Sequence, residues 1–227
     1  MNILEKMEPY SGLSSWAIWE SSNPNGLLEK EKDLIEDMDF NKYVGTLQQS
    51  NYVILAMNPG GAYNEEIALN STRKIRTDNR KWSNFHNIGR SRDFLLGRAI
   101  METKLKGSYM TDLFPIVGSK SDHIKKFIND KKNKTLVDNL IKEFDEEMNC
   151  LLPNEKEIRL ICIGKDVFNW ANKLLVENKN LKFNYCPHEF PHYSSANSGQ
   201  VSNKENSEKF YPKVIKQKIK EYQLDLL

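Results

Sequence analysis

The 227-residue chain has only three cysteines, Cys150, Cys162 and Cys186, an odd number at wide spacing. With Cys162 inside an apolar run, that usage argues against a disulfide framework and for reduced thiols. No apolar run approaches the length needed to cross a bilayer. The first residues, Met1 to Glu8, lack the charged-then-apolar arrangement of a secretory leader. A cytoplasmic protein with no membrane partner is therefore expected. Internal repeats, long linkers and low-complexity tracts are absent too, so residues 1–227 read as one domain able to bury a substantial core, and a monomer is the simplest assembly.

Net charge is also scarce, a formal +2 from 33 basic and 31 acidic side chains. Its distribution is uneven. Residues 73–98 hold eight basic side chains, among them Arg73, Arg76 and Lys81, against Asp78 and Asp93, a local net of +6. Residues 1–48 hold nine acids and four lysines, a local net of −5. Such asymmetry allows one positive face that follows phosphates while the whole stays near neutral; the alternative is a set of solvated charges around a loop and a helix.

What is present is an alternation of apolar runs and amphipathic stretches. Residues 1–25 show no clear periodicity, and Trp16 and Trp19 are expected to cap the core. Leu27 to about Gln48 reads as helical. Tyr52 to Met57 is a continuous apolar run stopped by Asn58-Pro59-Gly60-Gly61, the pattern of a parallel strand covered on both faces. A helix is expected over 90–103, a strand over 109–113, helical segments around 122–131 and 135–149, a strand over 158–163 and a helix over 165–177. A strand over 183–186 and a helix over 207–223 complete the series. Strands alternating with helices imply right-handed crossovers, hence an α/β fold: a three-layer α/β/α sandwich around a mainly parallel sheet of about four strands. The unusual loops, 58–64, 113–121 and 187–200, all follow strands, which gathers them at one sheet edge.

Two of those loops carry chemistry. Asn58-Pro59-Gly60-Gly61 combines a rigid turn and a permissive backbone with a carboxamide able to orient a water, although an ordinary strand-ending turn has the same composition. No Gly-Lys-Ser/Thr follows, which excludes a P-loop. His192 stands among Ser194, Ser195, Asn197 and Ser198, too polar a setting for a packed core. Its imidazole N–H suits donation to an oxygen on a leaving base; a general base or a loop-fixing hydrogen bond is equally compatible. Cys186, His188 and His192 have the look of zinc ligands, but no fourth ligand is evident and no metal or other cofactor is expected. No elbow motif positions Ser194 or Ser195 as a nucleophile. Trp82-Ser83-Asn84-Phe85-His86-Asn87 either touches nucleic acid or anchors a long loop. Asp112, at a strand end, either reads a base edge or caps the following loop.

On these residues the chain resembles the uracil-DNA glycosylase superfamily, particularly its mismatch-specific and single-strand-selective branches. Ala56-Met57-Asn58-Pro59-Gly60 is similar to the family's Gly-x-Asn-Pro-Gly after the first strand. His192-Tyr193-Ser194-Ser195-Ala196-Asn197 is similar to its His-Pro-Ser-Pro-x-Asn after the last, and Thr111-Asp112-Leu113 falls where a second strand end often carries Thr-Asn. Ala56, Tyr193 and Asp112 depart from the family residues. The resemblance implies that Asn58 places the attacking water and that His192 contacts the base O2. It puts Met57, Tyr63 and Asp112 around the base, with Tyr63 as the aromatic wall, and Ser194, Ser195 and Asn197 in a loop that penetrates the duplex. DNA with a damaged or mismatched base would be the partner and Arg73, Arg76 and Lys81 its phosphate contacts. A non-catalytic binding module on the same fold, or a hydrolase of free nucleosides or nucleotides, are the competing readings.

Overall fold

A computed structural model describes residues 1–35, 37–58, 81–86, 92–115, 121–193 and 207–227. Its frame is a five-stranded sheet of β1 (Ser14–Trp16), β2 (Tyr52–Ala56), β3 (Tyr109–Asp112), β4 (Glu157–Ile163) and β5 (Asn184–Phe190), in the order β1-β3-β2-β4-β5. β2 to β5 run parallel to one another, and β1 pairs antiparallel with β3. This mixed α/β sheet has one strand more than the sequence predicts. Ser14, Ser15 and Trp16 are all buried, so the short strand has no alternation of polar and apolar residues to betray it. Trp16 lies wholly inside, edge-on to Tyr109 at 5.1 Å, and Trp19 is buried as well. Both belong to the core instead of capping it.

Alternation along β2 divides the interior. Val53 and Leu55 belong to one apolar cluster, Tyr52, Ile54 and Ala56 to another, so the clusters occupy opposite faces of the sheet. Among the described residues the α-helices are α1 (Ile3–Met7), α2 (Asp93–Ile100), α3 (Ser121–Asn129), α4 (Lys134–Leu151), α5 (Lys165–Ala171) and α6 (Ser207–Glu221). Met7, Ile124, Phe144, Met148 and Val167 bring α1, α3, α4 and α5 onto the first cluster. Phe94, Leu95, Ile215 and Ile219 bring α2 and α6 onto the second. Each such side chain, fully buried, contributes roughly 1.5–3 kcal/mol before the ordering entropy is counted. α2 approaches so closely that a Cβ at Gly97 would stand 2.8 Å from the Trp19 ring. α5 continues as a π turn over Asn172–Val176.

The helix expected over 27–48 is not formed. In its place are two 3-10 turns, Glu31–Asp33 and Phe40–Thr46. The Asp33 carboxylate accepts from the Glu29 and Lys30 amides, and Asp39 accepts from the Asn41 amide. These local side-chain bonds to the backbone compete with helical ones and win. β5 is longer than the four residues expected, because Pro187, His188 and Glu189 interrupt the apolar pattern without interrupting the pairing with β4. Asn184 N–H and Phe190 C=O face β4, bonded to Lys156 and Gly164. By alternation, Pro187 and Glu189 turn their backbone to the outer edge, where the Glu189 carbonyl accepts from the Tyr222 hydroxyl at 3.0 Å. Among the described residues no helix is long and apolar enough to cross a membrane.

Candidate functional site

The chain leaves β2 for β3 on one side and leaves β4 for β5 on the other, so the crossovers diverge between the adjacent strands β2 and β4. Open α/β sheets bind their ligands outside the carboxyl ends of strands at such a point. Asn58 stands two residues beyond β2, Gly164 directly after β4, and His192 two residues beyond β5. All three are at the carboxyl edge. Parallel neighbours are spaced about 4.8 Å apart, so the β2 and β5 ends are separated by roughly 10 Å, with β4 between them.

The β2 end is held firmly. Beyond the register pair Ala56 and Asp112, Leu113 N–H donates to Ala56 at 2.9 Å and Phe114 N–H to Met57 at 2.8 Å. Met57 packs against the first apolar cluster, and Asn58 emerges half-buried beyond it.

His192 is held from two sides. Its ring stacks on Tyr193, centroids 4.6 Å apart and planes 24° inclined. On another side is Gly164, whose φ of +113° belongs to glycine. A Cβ built there would sit 3.6 Å from His192 Cβ and 3.7 Å from Cδ2, ordinary contact, so the backbone angle and not lack of space requires glycine. Burial lowers the imidazole's pKa to about 4. At neutral pH the ring is uncharged, with one nitrogen donating and the other accepting.

Beneath this ring lies a buried polar network that motif reading did not find. Tyr193, 8% exposed, donates its hydroxyl to Asp93, the first residue of α2. Burial first, then Asp93, Tyr211 and Asp112, hold the Tyr193 phenol well above its ordinary pKa. Asp112 is 1% exposed, and its carboxylate accepts from Asn84 Nδ2 at 2.7 Å. The same amide donates to the Leu13 carbonyl at 2.9 Å. Asp112 thus stands at the expected strand end but inside the protein, engaged by a neighbouring amide.

Asn84 belongs to the segment 81–86, which anchors itself to the core. Trp82 and Phe85 are buried in left-handed backbone, φ +60° and +67°. Hydrogen bonds from Trp82 N–H to Ser11, from Ser15 Oγ to the Trp82 carbonyl and from Trp19 Nε1 to the Phe85 carbonyl offset that strain. Lys81 is exposed and ion-paired with Glu8 at 2.5 Å. Tyr63, Arg73, Arg76, Ser194, Ser195 and Asn197 lie outside the described residues.

Cys186 and His188 sit within β5, where Cys186 pairs in register with Arg159 near the opposite end of the strand from His192. Among the described residues no group of three or more His, Cys, Asp or Glu is arranged to hold a metal. A cavity of about 860 Å³ opens at the amino edge of the sheet, bordered by Tyr43, Asn51, Tyr52, Lys104, Lys106 and Arg159. Two of its cations are already matched: Arg159 by Glu157 and the Tyr52 hydroxyl, Lys104 by Asp225. It has no evident relation to the carboxyl edge. Compared with models of known families, with curated proteins and with solved structures, the chain matches none.

Proposed function

We propose that the protein is a DNA glycosylase-like hydrolase of the uracil-DNA glycosylase type, built as a three-layer α/β/α sandwich. It would extrude a damaged or deaminated base and cleave its N-glycosidic bond with water. The observation that carries this reading is the joint position of Asn58 and a neutral, sterically held His192 at the carboxyl edge, on either side of the β4 end.

The chemistry asks little more of the protein. In the duplex the bond is inaccessible, so the nucleotide must be flipped out first. As the N–C1′ bond breaks, its electron pair leaves with the base and positive charge develops on the sugar. The Asn58 carboxamide orients a water whose oxygen forms the new bond to C1′; the water's proton is finally taken up by the departing base. The imidazole donates a hydrogen bond to the base oxygen on which negative charge grows. A neutral donor suits that task, since it stabilises the anion without giving up a full proton.

A non-catalytic binding module is the second reading, and the engagement of Asp112 by Asn84 favours it. A residue expected to read the base is occupied inside the protein. A cleavage panel separates the two: oligonucleotides carrying uracil, hypoxanthine, xanthine or mismatched thymine are incubated with the protein, treated with alkali and resolved on a gel. Strand scission at one of these bases supports the enzyme. Binding without scission on every substrate overturns it.

A further inference from the structure

The His192 ring is fixed by the residue that follows it. Pro191, on one side of it in the chain, has its carbonyl bonded by the Tyr211 hydroxyl at 2.8 Å. Tyr193, on the other, lies buried with its ring stacked on the imidazole and edge-on to Tyr211 at 6.4 Å. Its hydroxyl is tied to Asp93, itself buried at the start of α2. Gly164 closes another side of the imidazole.

We infer that Tyr193 is a positioning residue: anchored through its hydroxyl to Asp93, its ring clamps the His192 imidazole against Gly164 and so aims the ring nitrogen at the crevice. A proline, which the resemblance leads one to expect at 193, would stiffen the backbone but could offer neither the stacking face nor the anchor. The Tyr193–Asp93 pair supplies rigidity from side chains instead. What the aimed nitrogen does rests on the glycosylase reading; how it is held does not.

Preorganisation of this kind matters because small misplacement of a reacting group is costly, on the order of 10²-fold for about 1 Å. Two variants divide the clamp. Tyr193→Phe keeps the ring and removes the anchor, and Tyr193→Leu removes both. Two readouts follow each: single-turnover base release against DNA affinity, and the His192 imidazole Cε1–H cross-peak in the NMR spectrum of the whole protein. The expected result is a fall in base release of about tenfold for Phe and about 10²-fold for Leu, with DNA affinity little changed and the cross-peak shifted or broadened in the same order.

An unmoved cross-peak in both variants overturns the inference. So does a loss of DNA affinity with the rate preserved, which would make Tyr193 a DNA contact. If the wild-type protein releases no base from any oligonucleotide, the glycosylase reading falls while the cross-peak still decides whether Tyr193 holds His192. Should Tyr193→Leu fail to fold, Tyr193→Phe, lacking one hydroxyl, decides alone.

Discussion

Asn84 donates its side-chain amide to the Asp112 carboxylate at 2.7 Å, joining the 81–86 segment to the carboxyl end of β3 inside the protein. A hydrogen bond to a buried carboxylate is worth more than one between neutral groups, about 1.5–3 kcal/mol. Asp112→Ala should therefore lower stability by about that amount, measured as a shift of the urea midpoint at constant slope. Asp112→Asn should cost less, since the new amide can still accept from Asn84. If Asp112→Asn leaves stability untouched and changes which base is released, the carboxylate faces the substrate after all.

Removing either group at the edge should affect rate more than binding. Asn58→Ala and His192→Ala are each expected to lower single-turnover base release by roughly 10²–10³, the usual consequence of losing one donor or water-orienting group at a developing charge. DNA affinity measured by fluorescence anisotropy should change by less than about threefold. A large loss of affinity with the rate intact would contradict the assigned roles.

The low pKa of His192 has a signed consequence for stability. Its folded value, about 4, lies below the ordinary 6.5. Above about pH 6.5 the ring is neutral in both states and stability is unaffected. As pH falls from there toward 4, the unfolded chain takes up a proton that the folded chain refuses. Stability then declines by up to about 1.4 kcal/mol per pH unit, and below 4 this group causes no further loss. His192→Asn should flatten that part of the curve in urea titrations at a series of pH values. A wild-type and a variant curve that run parallel from pH 7 to 4 would refute the assignment.

Gly164→Ala tests the backbone and not the space beside it. At φ +113° an alanine is strained by about 1–3 kcal/mol, although its methyl would meet His192 at ordinary contact distance. Relief of that strain should turn the strand end, lowering the melting temperature and displacing the His192 cross-peak. A normal melting temperature with a displaced cross-peak would mean that the methyl, not the backbone, is what the ring feels.

In the basic stretch, single charges should not be equal. Lys81 is matched by Glu8 at the surface, an ion pair worth at most about 1 kcal/mol. Lys81→Ala alone should leave DNA affinity almost unchanged, whereas Arg73→Ala with Arg76→Ala should weaken it across all sequences and reduce the salt slope by up to about 0.9 for each phosphate no longer neutralised. Anisotropy titrations at several salt concentrations make the comparison.

How far the sequence could be read follows from where each signal resides. β2, and β4 from Leu160 onward, are buried on both faces, so Tyr52–Ala56 and Leu160–Ile163 announce themselves as apolar runs, and the loops after them fall at one edge by topology alone. The place of Asn58 at that edge was legible for that reason; His192 follows β5, whose half-buried residues 186–189 give no such run. Residues 27–48 mislead because apolar spacing is visible in sequence, whereas the capture of backbone amides by Asp33 and Asp39 is not. Asp112 shows the same limit over a longer range: its partner Asn84 is 28 residues away. The anchor of Tyr193 is farther still, at Asp93. Polar pairs of this kind leave no periodicity, and only the folded arrangement brings them together.

The outer edge of β5 bears on self-association. A sheet recruits another strand only where consecutive amides and carbonyls stand open. Along this margin Pro187 has no proton to give, and two residues on the Glu189 oxygen is already taken by the Tyr222 hydroxyl. An incoming strand would lose a rung at the first position and displace α6's tail at the second, so this margin is a poor template for strand-swapped dimers or fibrillar growth. Opening it would take both changes together, a residue with an N–H at 187 and loss of the phenol at 222.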